Sequence, residues 1–196
     1  MESSDHVKHN HWTRTTIGPY CPNAEADKAT HAQNRVKEFA ELLGEADIPD
    51  VDVLNHTDMQ FARWHKTAIN ASINPTAVLA GGVTNQGVAL DDELFTHAKG
   101  VMEEILRAAE VVLGSRLPSS LPTPTDVWEG VKKDVSGSKA SMLMDWEAGK
   151  KLEVEAILGE PMRQARAVGV ELPKTQSLCA LLRSAQRCRE RNNSES

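Results

Sequence analysis

The stretch FARWHKTAINASINP, residues Phe61 to Pro75, decides how the chain is read. As a helix it places Lys66, Asn70 and Asn74 four residues apart in succession, one above the other on a single face. Arg63 and Thr67 border that face. Most of the rest of the circumference is apolar or small, from Phe61, Ala62 and Trp64 to Ala68, Ile69, Ala71 and Ile73. The spacing predicts a largely buried helix with one narrow polar stripe. Two readings of the stripe are open: the wet side of an amphipathic helix, or a site. Composition favours the site, because asparagine is a poor helix former whose side chain competes for the backbone. Pro75 cannot donate to the Ala71 carbonyl, so the helix is expected to kink or end there and leave free carbonyls beside Asn74.

The chain around this helix has 196 residues and a net charge of −6, enough length for one domain with a real core. Basic residues are scattered apart from RSAQRCRER near the C-terminus, which reads as a solvated helix end, and aromatics are few. No nucleic-acid partner is therefore expected. Cys21, Cys179 and Cys188 have no CxxC spacing, and their odd number suits a reducing compartment. No apolar run reaches membrane-spanning length, and the polar start MESSDHVKHNHW is unlike a signal peptide. A cytoplasmic protein without a membrane partner is the expectation.

In chain order, residues 1–12 read as a disordered tail. Its His6, His9 and His11 lack the surroundings of a metal site, and no metal is expected. A short strand is predicted from Trp12 to Ile17. A helix follows from Ala24, capped by Asn23, to Leu43, with Gly44 as its stop and Val36, Phe39, Ala40 and Leu43 on one apolar face. A second strand covers Val51 to Leu54. Thr57 or Asp58 is expected to cap the central helix, and Gly81 to Gly87 to form a loop. Asp91 and Asp92 start a long helix ending at Leu113 before Gly114. A short helix over Val127 to Val135 is expected to be capped by Thr125 or Asp126. Further helices are predicted over Lys139–Ala148, Leu152–Val168 and Thr175–Arg189. Residues 13–56 thus form a short α/β segment, 57–190 an all-α domain and 191–196 a tail.

A second block carries as much chemistry as the first: SMLMDWEAGKKLEVEAILGE, Ser141 to Glu160. The two blocks together resemble the ketopantoate reductases (2-dehydropantoate 2-reductases). In that family the first reads roughly W-x-K-x-x-x-N-x-x-x-N-P, met here by Trp64, Lys66, Asn70, Asn74 and Pro75. The second reads S-M-x-x-D-x-x-x-G-x-x-x-E-[IV]-[DE]-x-[IL]-x-G, met by Ser141, Met142, Asp145, Gly149, Glu153, Glu155 and Gly159. The resemblance is to the family's C-terminal helical domain, of the 6-phosphogluconate dehydrogenase C-domain-like kind. It implies a helical bundle preceded by a short α/β remnant that closes the nucleotide-binding domain.

The resemblance also implies roles. Lys66 would be the general acid of a reduction in which NADPH supplies the hydride, and Glu153 would assist it. Asn70, Asn74 and Ser141 would bind a small-molecule substrate. Each residue also has an ordinary reading: a surface lysine, a glutamate opening a helix whose dipole favours negative charge, a first-turn serine. His65 points around the helix from Lys66 and reads as structural, and Trp146 as a packing residue.

The chain contains neither G-x-G-x-x-G nor G-x-x-x-x-G-K-[ST], and GGVTNQG follows a helix, so no cofactor is expected to bind this chain alone. Two other functions are compatible with the same residues. One is a cofactor-independent isomerase, lyase or cyclase that activates a carbonyl, cycloaddition included, on a hydrophobic metabolite. The other is a non-catalytic helical dimerisation module. A homodimer or larger oligomer is expected, since exposed apolar surface tends to be reburied.

Overall fold

The structure is a computed structural model, and it describes residues 14–22, 24–48 and 50–194. The tail with its histidines, Trp12 and the expected cap Asn23 lie outside the described residues. Two compact units are present, one up to Gln60 and one from Phe61.

In the first unit, β1 (Thr15–Ile17), α1 (Ala26–Glu45) and β2 (Val51–Val53) form a β-α-β arrangement. The strands pair in parallel, Thr15 opposite Val51 and Ile17 opposite Val53. No residue of α1 is buried. Val36, Ala40 and Leu43 are half-buried as the apolar face predicts, but Phe39 is exposed. α1 also runs through Gly44 instead of stopping before it. The left-handed residue that ends the segment is Asp47, with φ 58°; glycine permits a stop without compelling one.

The second unit is helical. It is built from α2 (His56–Leu79), α3 (Asn85–Leu90), α4 (Asp92–Leu113), α5 (Pro124–Lys133), α6 (Ser141–Glu147), a π-helical turn (Glu155–Gly159), α7 (Glu160–Ala167) and α8 (Pro173–Ser194). The all-α expectation holds from the central helix onward. α4 packs against α3, α5, α7 and α8. Its Ala98, Val101, Met102, Ile105, Ala108 and Ala109 have no solvent exposure, so small and large side chains interdigitate at interior density. Trp128 of α5 is buried, with its ring edge-on to Phe95 at 5.4 Å. No helix among the described residues is long and apolar enough to cross a membrane.

Several helix ends differ from the sequence reading. α2 is capped by Asn55, whose Oδ1 accepts the Asp58 N–H at 2.9 Å while its Nδ2 donates to the Asp58 carboxylate. α5 is capped by Thr123: its hydroxyl accepts the Asp126 N–H and the Asp126 carboxylate accepts the Thr123 N–H, a reciprocal capping box. The Thr123 hydroxyl, which donates to the Asp126 carboxylate at 2.6 Å, and then the Thr123 N–H hold that carboxyl below the usual carboxylate range. Asn85 to Gly87 belong to α3, capped by Thr84, and not to a loop. α8 starts at Pro173 and continues past Arg189.

Pro75 neither ends nor interrupts α2, which continues to Leu79. The proline is fully buried, and hydroxyls beside it take up carbonyls of the same stretch. Thr76 Oγ1 donates to the Ser72 carbonyl at 2.7 Å, and Ser72 Oγ to that of Ile69 at 2.8 Å. Packing on all sides outweighs the single backbone bond that Pro75 removes.

The N-terminus of α8 is held from another helix. Glu104 of α4 is buried, and its carboxylate accepts the N–H of Lys174, the N–H of Thr175 and the Thr175 hydroxyl at 3.1–3.2 Å. It satisfies donors that the first turn of α8 cannot satisfy itself.

Candidate active site

Burial along the polar stripe of α2 rises from one end to the other. Lys66 is exposed, Asn70 is half-buried and Asn74 is 5% exposed. A graded stripe of this kind carries polarity from solvent into the helical unit. On the neighbouring face His65 is buried and its Nε2 bonds the Pro122 carbonyl at 2.7 Å, a structural role as read from the sequence.

The deep end of the stripe meets the second block. Asn74 Nδ2 donates to Ser141 Oγ at 3.4 Å, joining α2 to the first residue of α6. α6 is seated by Met142 and Leu143, both buried. The side chains of Lys66, Asn70 and Glu153 have no hydrogen-bond or ion-pair partner among the described residues. Nor does a direct bond join Lys66 to Glu153. The structure therefore unites Asn74 with Ser141 and leaves the other three groups available to a ligand. Asn70, half-buried with both donor and acceptor unused, costs the least to satisfy with a bound molecule.

Glu153 opens a helix, as its ordinary reading has it: it is exposed in the link after α6, directly before Val154, and its carbonyl accepts the Ile157 N–H at 3.0 Å, the first bond of the helical turn. The helical conformation begins at Val154 and widens at once into the π turn, a geometry that recurs at functional sites.

Glu155, also on the family pattern, has a different job. Arg183 and Arg163 both bond its carboxylate and hold the carboxyl below its usual range, Arg183 most strongly. To reach Arg163 it crosses Gly159, where a Cβ would stand 2.5 Å from Glu155 Oε2. A side chain at this position would push the carboxylate off its bond to Arg163.

Sequence reasoning missed the partners of this segment. Gln186 and Arg189 of α8 bond its backbone, and the guanidinium of Arg189 lies 4.0 Å from the Trp146 ring centroid. The basic run of α8 thus clamps a neighbour instead of merely facing solvent. Trp146 packs against the core as expected. The three cysteines are free, and burial pushes the Cys179 thiol up, away from reactivity.

A helical domain with a Lys–Asn–Asn stripe on α2, joined to a Ser–Glu block on α6 and the link after it, defines a class. The family described as ketopantoate reductase PanE/ApbA, C-terminal, matches residues 58–186, and the chain belongs to that family through this domain. Among its relatives, the 2-dehydropantoate 2-reductase of Nostoc sp. is 26% identical over 174 residues, covering 88% of this chain and 51% of that protein. The enzyme of the same name from Pyrococcus abyssi is 30% identical over 123 residues, covering 63% and 39%. The crystal structure of 2-dehydropantoate 2-reductase from Methylococcus capsulatus superposes with a TM-score of 0.72 at 28% identity, covering 92% of this chain and 53% of that one. A structure described as a dimeric ketopantoate reductase from Staphylococcus aureus shares the fold, with a TM-score of 0.63 at 21% identity over 91% and 56% of the two chains. The chain spans about half, or less, of the length of these curated relatives.

Proposed function

We propose that this chain carries the proton-donating and substrate-binding half of a 2-dehydropantoate 2-reductase. The observation that carries the reading is the Asn74–Ser141 bond, which brings the two motif blocks to one place with Asn70 unpartnered beside it. Asn70, Asn74 and Ser141 hold the substrate's hydroxyl, carbonyl and carboxylate, neutral groups that bind a developing oxyanion without repelling the acid. When hydride adds to the keto carbon, the carbonyl π pair becomes an alkoxide. Lys66 Nζ gives that oxygen its proton and is reprotonated from solvent, to which it is exposed. Glu153 accepts a hydrogen bond from the substrate and orients it toward Lys66.

NADPH supplies the hydride in this reaction, and the residues present do not fit its seat. β1 is followed by Gly18-Pro19, with no glycine-rich turn opening a helix for the pyrophosphate. In our reading, β1, α1 and β2 are the end of a larger nucleotide-binding sheet. Two parallel strands alone are unusual, since parallel sheets are ordinarily covered on both faces. The exposure of Phe39 and Leu42 on α1 agrees with a missing neighbour. The isomerase, lyase or cyclase reading and the dimerisation-module reading gain no support from the relatives named above.

The test is a fusion. The N-terminal half of the Methylococcus capsulatus enzyme, placed ahead of β1, is expected to oxidise NADPH on addition of 2-dehydropantoate, whereas the chain alone neither turns over nor binds NADPH tightly. A folded, NADPH-binding fusion without turnover would defeat the assignment.

The same reading includes a homodimer. Leu90, Val111 and Leu181 are exposed apolar side chains of the helical unit that association would cover. Sedimentation at roughly tens of micromolar, where weak interfaces show, is expected to give the dimer mass; a clean monomer there contradicts it.

A further inference from the structure

The link that carries Glu153 has no ladder of its own, yet one helix holds it at Lys150 and Leu152 and holds Trp146 and Glu155 on either side of it. Arg183, Gln186 and Arg189 stand three apart in succession on α8, so they line one side of it. Arg189 Nη1 donates to the Trp146 carbonyl at 2.8 Å and its Nη2 to the Lys150 carbonyl, while the guanidinium stacks on the Trp146 ring. Gln186 Oε1 accepts the Leu152 N–H at 3.0 Å. Arg183 pairs with Glu155 at 2.6 Å. The backbone immediately before Glu153 and the side chain two residues after it are thus both fixed to α8. The helix in turn is anchored by buried Leu178, Cys179 and Leu182 and, at its first turn, by Glu104. Only an arginine suits the upper position, because its planar fork spans two carbonyls while its face stacks on the indole.

We propose that Gln186 and Arg189 are positioning residues for Glu153, with α8 acting as a splint that sets where the carboxylate is presented. The inference rests on the role given to Glu153 under the proposed function. It places specificity-determining geometry on a helix that contributes no group to the substrate itself.

The test is a titration of the ¹⁵N-labelled full chain with 2-dehydropantoate, followed by NMR. The wild-type chain binds. Glu153→Gln and Gln186→Leu each weaken binding on the order of tenfold, the scale of a group displaced by about an ångström or less. In the Glu153→Gln background Gln186→Leu adds less than about twofold, since its effect runs through Glu153. Gln186→Glu combined with Glu190→Gln keeps an acceptor oxygen for Leu152 without repulsion and restores wild-type affinity. If Gln186→Leu fails to fold, Arg189→Lys, which keeps the charge but reaches one carbonyl, replaces it in the same cycle with the same expectations. Equal weakening in both backgrounds marks a merely structural role and overturns the inference. So does wild-type affinity in Gln186→Leu. Wild-type affinity in Glu153→Gln, or no binding by the wild-type chain, overturns the role of Glu153 and this inference with it.

Discussion

Replacing Glu104 by alanine is expected to lower the unfolding free energy by about 3–5 kcal/mol, a large effect for a single change. Glu104 is 5% exposed and its two oxygens serve three donors at the start of α8. Truncation strands the N–H groups of Lys174 and Thr175 and the Thr175 hydroxyl. Thr175 has no solvent exposure, so water cannot replace the carboxylate there without opening the helix end. Each orphaned buried donor costs about 1–3 kcal/mol, and the emptied volume adds to the sum. Glu104→Gln keeps one good acceptor and should lose only about 1–2 kcal/mol. Urea unfolding followed by circular dichroism separates the two variants, with the midpoint falling and the slope unchanged. A Glu104→Ala midpoint within about 1 kcal/mol of wild type would mean that the cap carries little of the stability of α8. Since α8 holds the Glu153 link, the same variant is also expected to loosen the Leu152 amide in hydrogen exchange.

Lys66→Ala is expected to lower kcat of the active fusion by about 10²–10⁴, the usual contribution of a positioned general acid. Folding should be unaffected, because Lys66 is exposed and has no partner among the described residues. KM should change less than kcat, because the proton is needed only as the alkoxide forms and not to hold the ketone. Lys66→Arg keeps the charge but not a usable proton, so it should rescue binding without rescuing turnover. Steady-state kinetics with 2-dehydropantoate decide the matter. A Lys66→Ala enzyme within a few-fold of wild-type kcat would remove the general-acid role, even if Asn70, Asn74 and Ser141 prove to bind substrate.

Much of the fold and of the candidate site was legible in the residues because it rests on local chemistry. The spacing of Lys66, Asn70 and Asn74 follows from helical geometry alone. Asp91 as the cap of α4 and Gly114 as its left-handed stop were readable because a cap needs only its own side chain and the next turn. The succession of apolar stripes was enough for an all-α domain after a β-α-β segment, and two motif blocks together were enough for the family.

Only the folded structure decided the rest, chiefly through partners from distant parts of the chain. Burial that outweighs one lost bond lets Pro75 sit inside α2, although its local preference is to end a helix. Asn55 and Thr123 cap α2 and α5 where Thr57, Asp58 and Thr125 were equally eligible by type. The deepening of the stripe from Lys66 to Asn74 is a property of what packs around α2, which periodicity does not contain. Glu104, Gln186 and Arg189 look in the sequence like ordinary charged and polar helix residues. They acquire their roles from Thr175, Leu152 and Trp146, contacts that exist only once the helices have packed. Local pattern determines which residues face inward; which of them meet is settled by the packing of the helices, and that is where Asn74 and Ser141 were brought together.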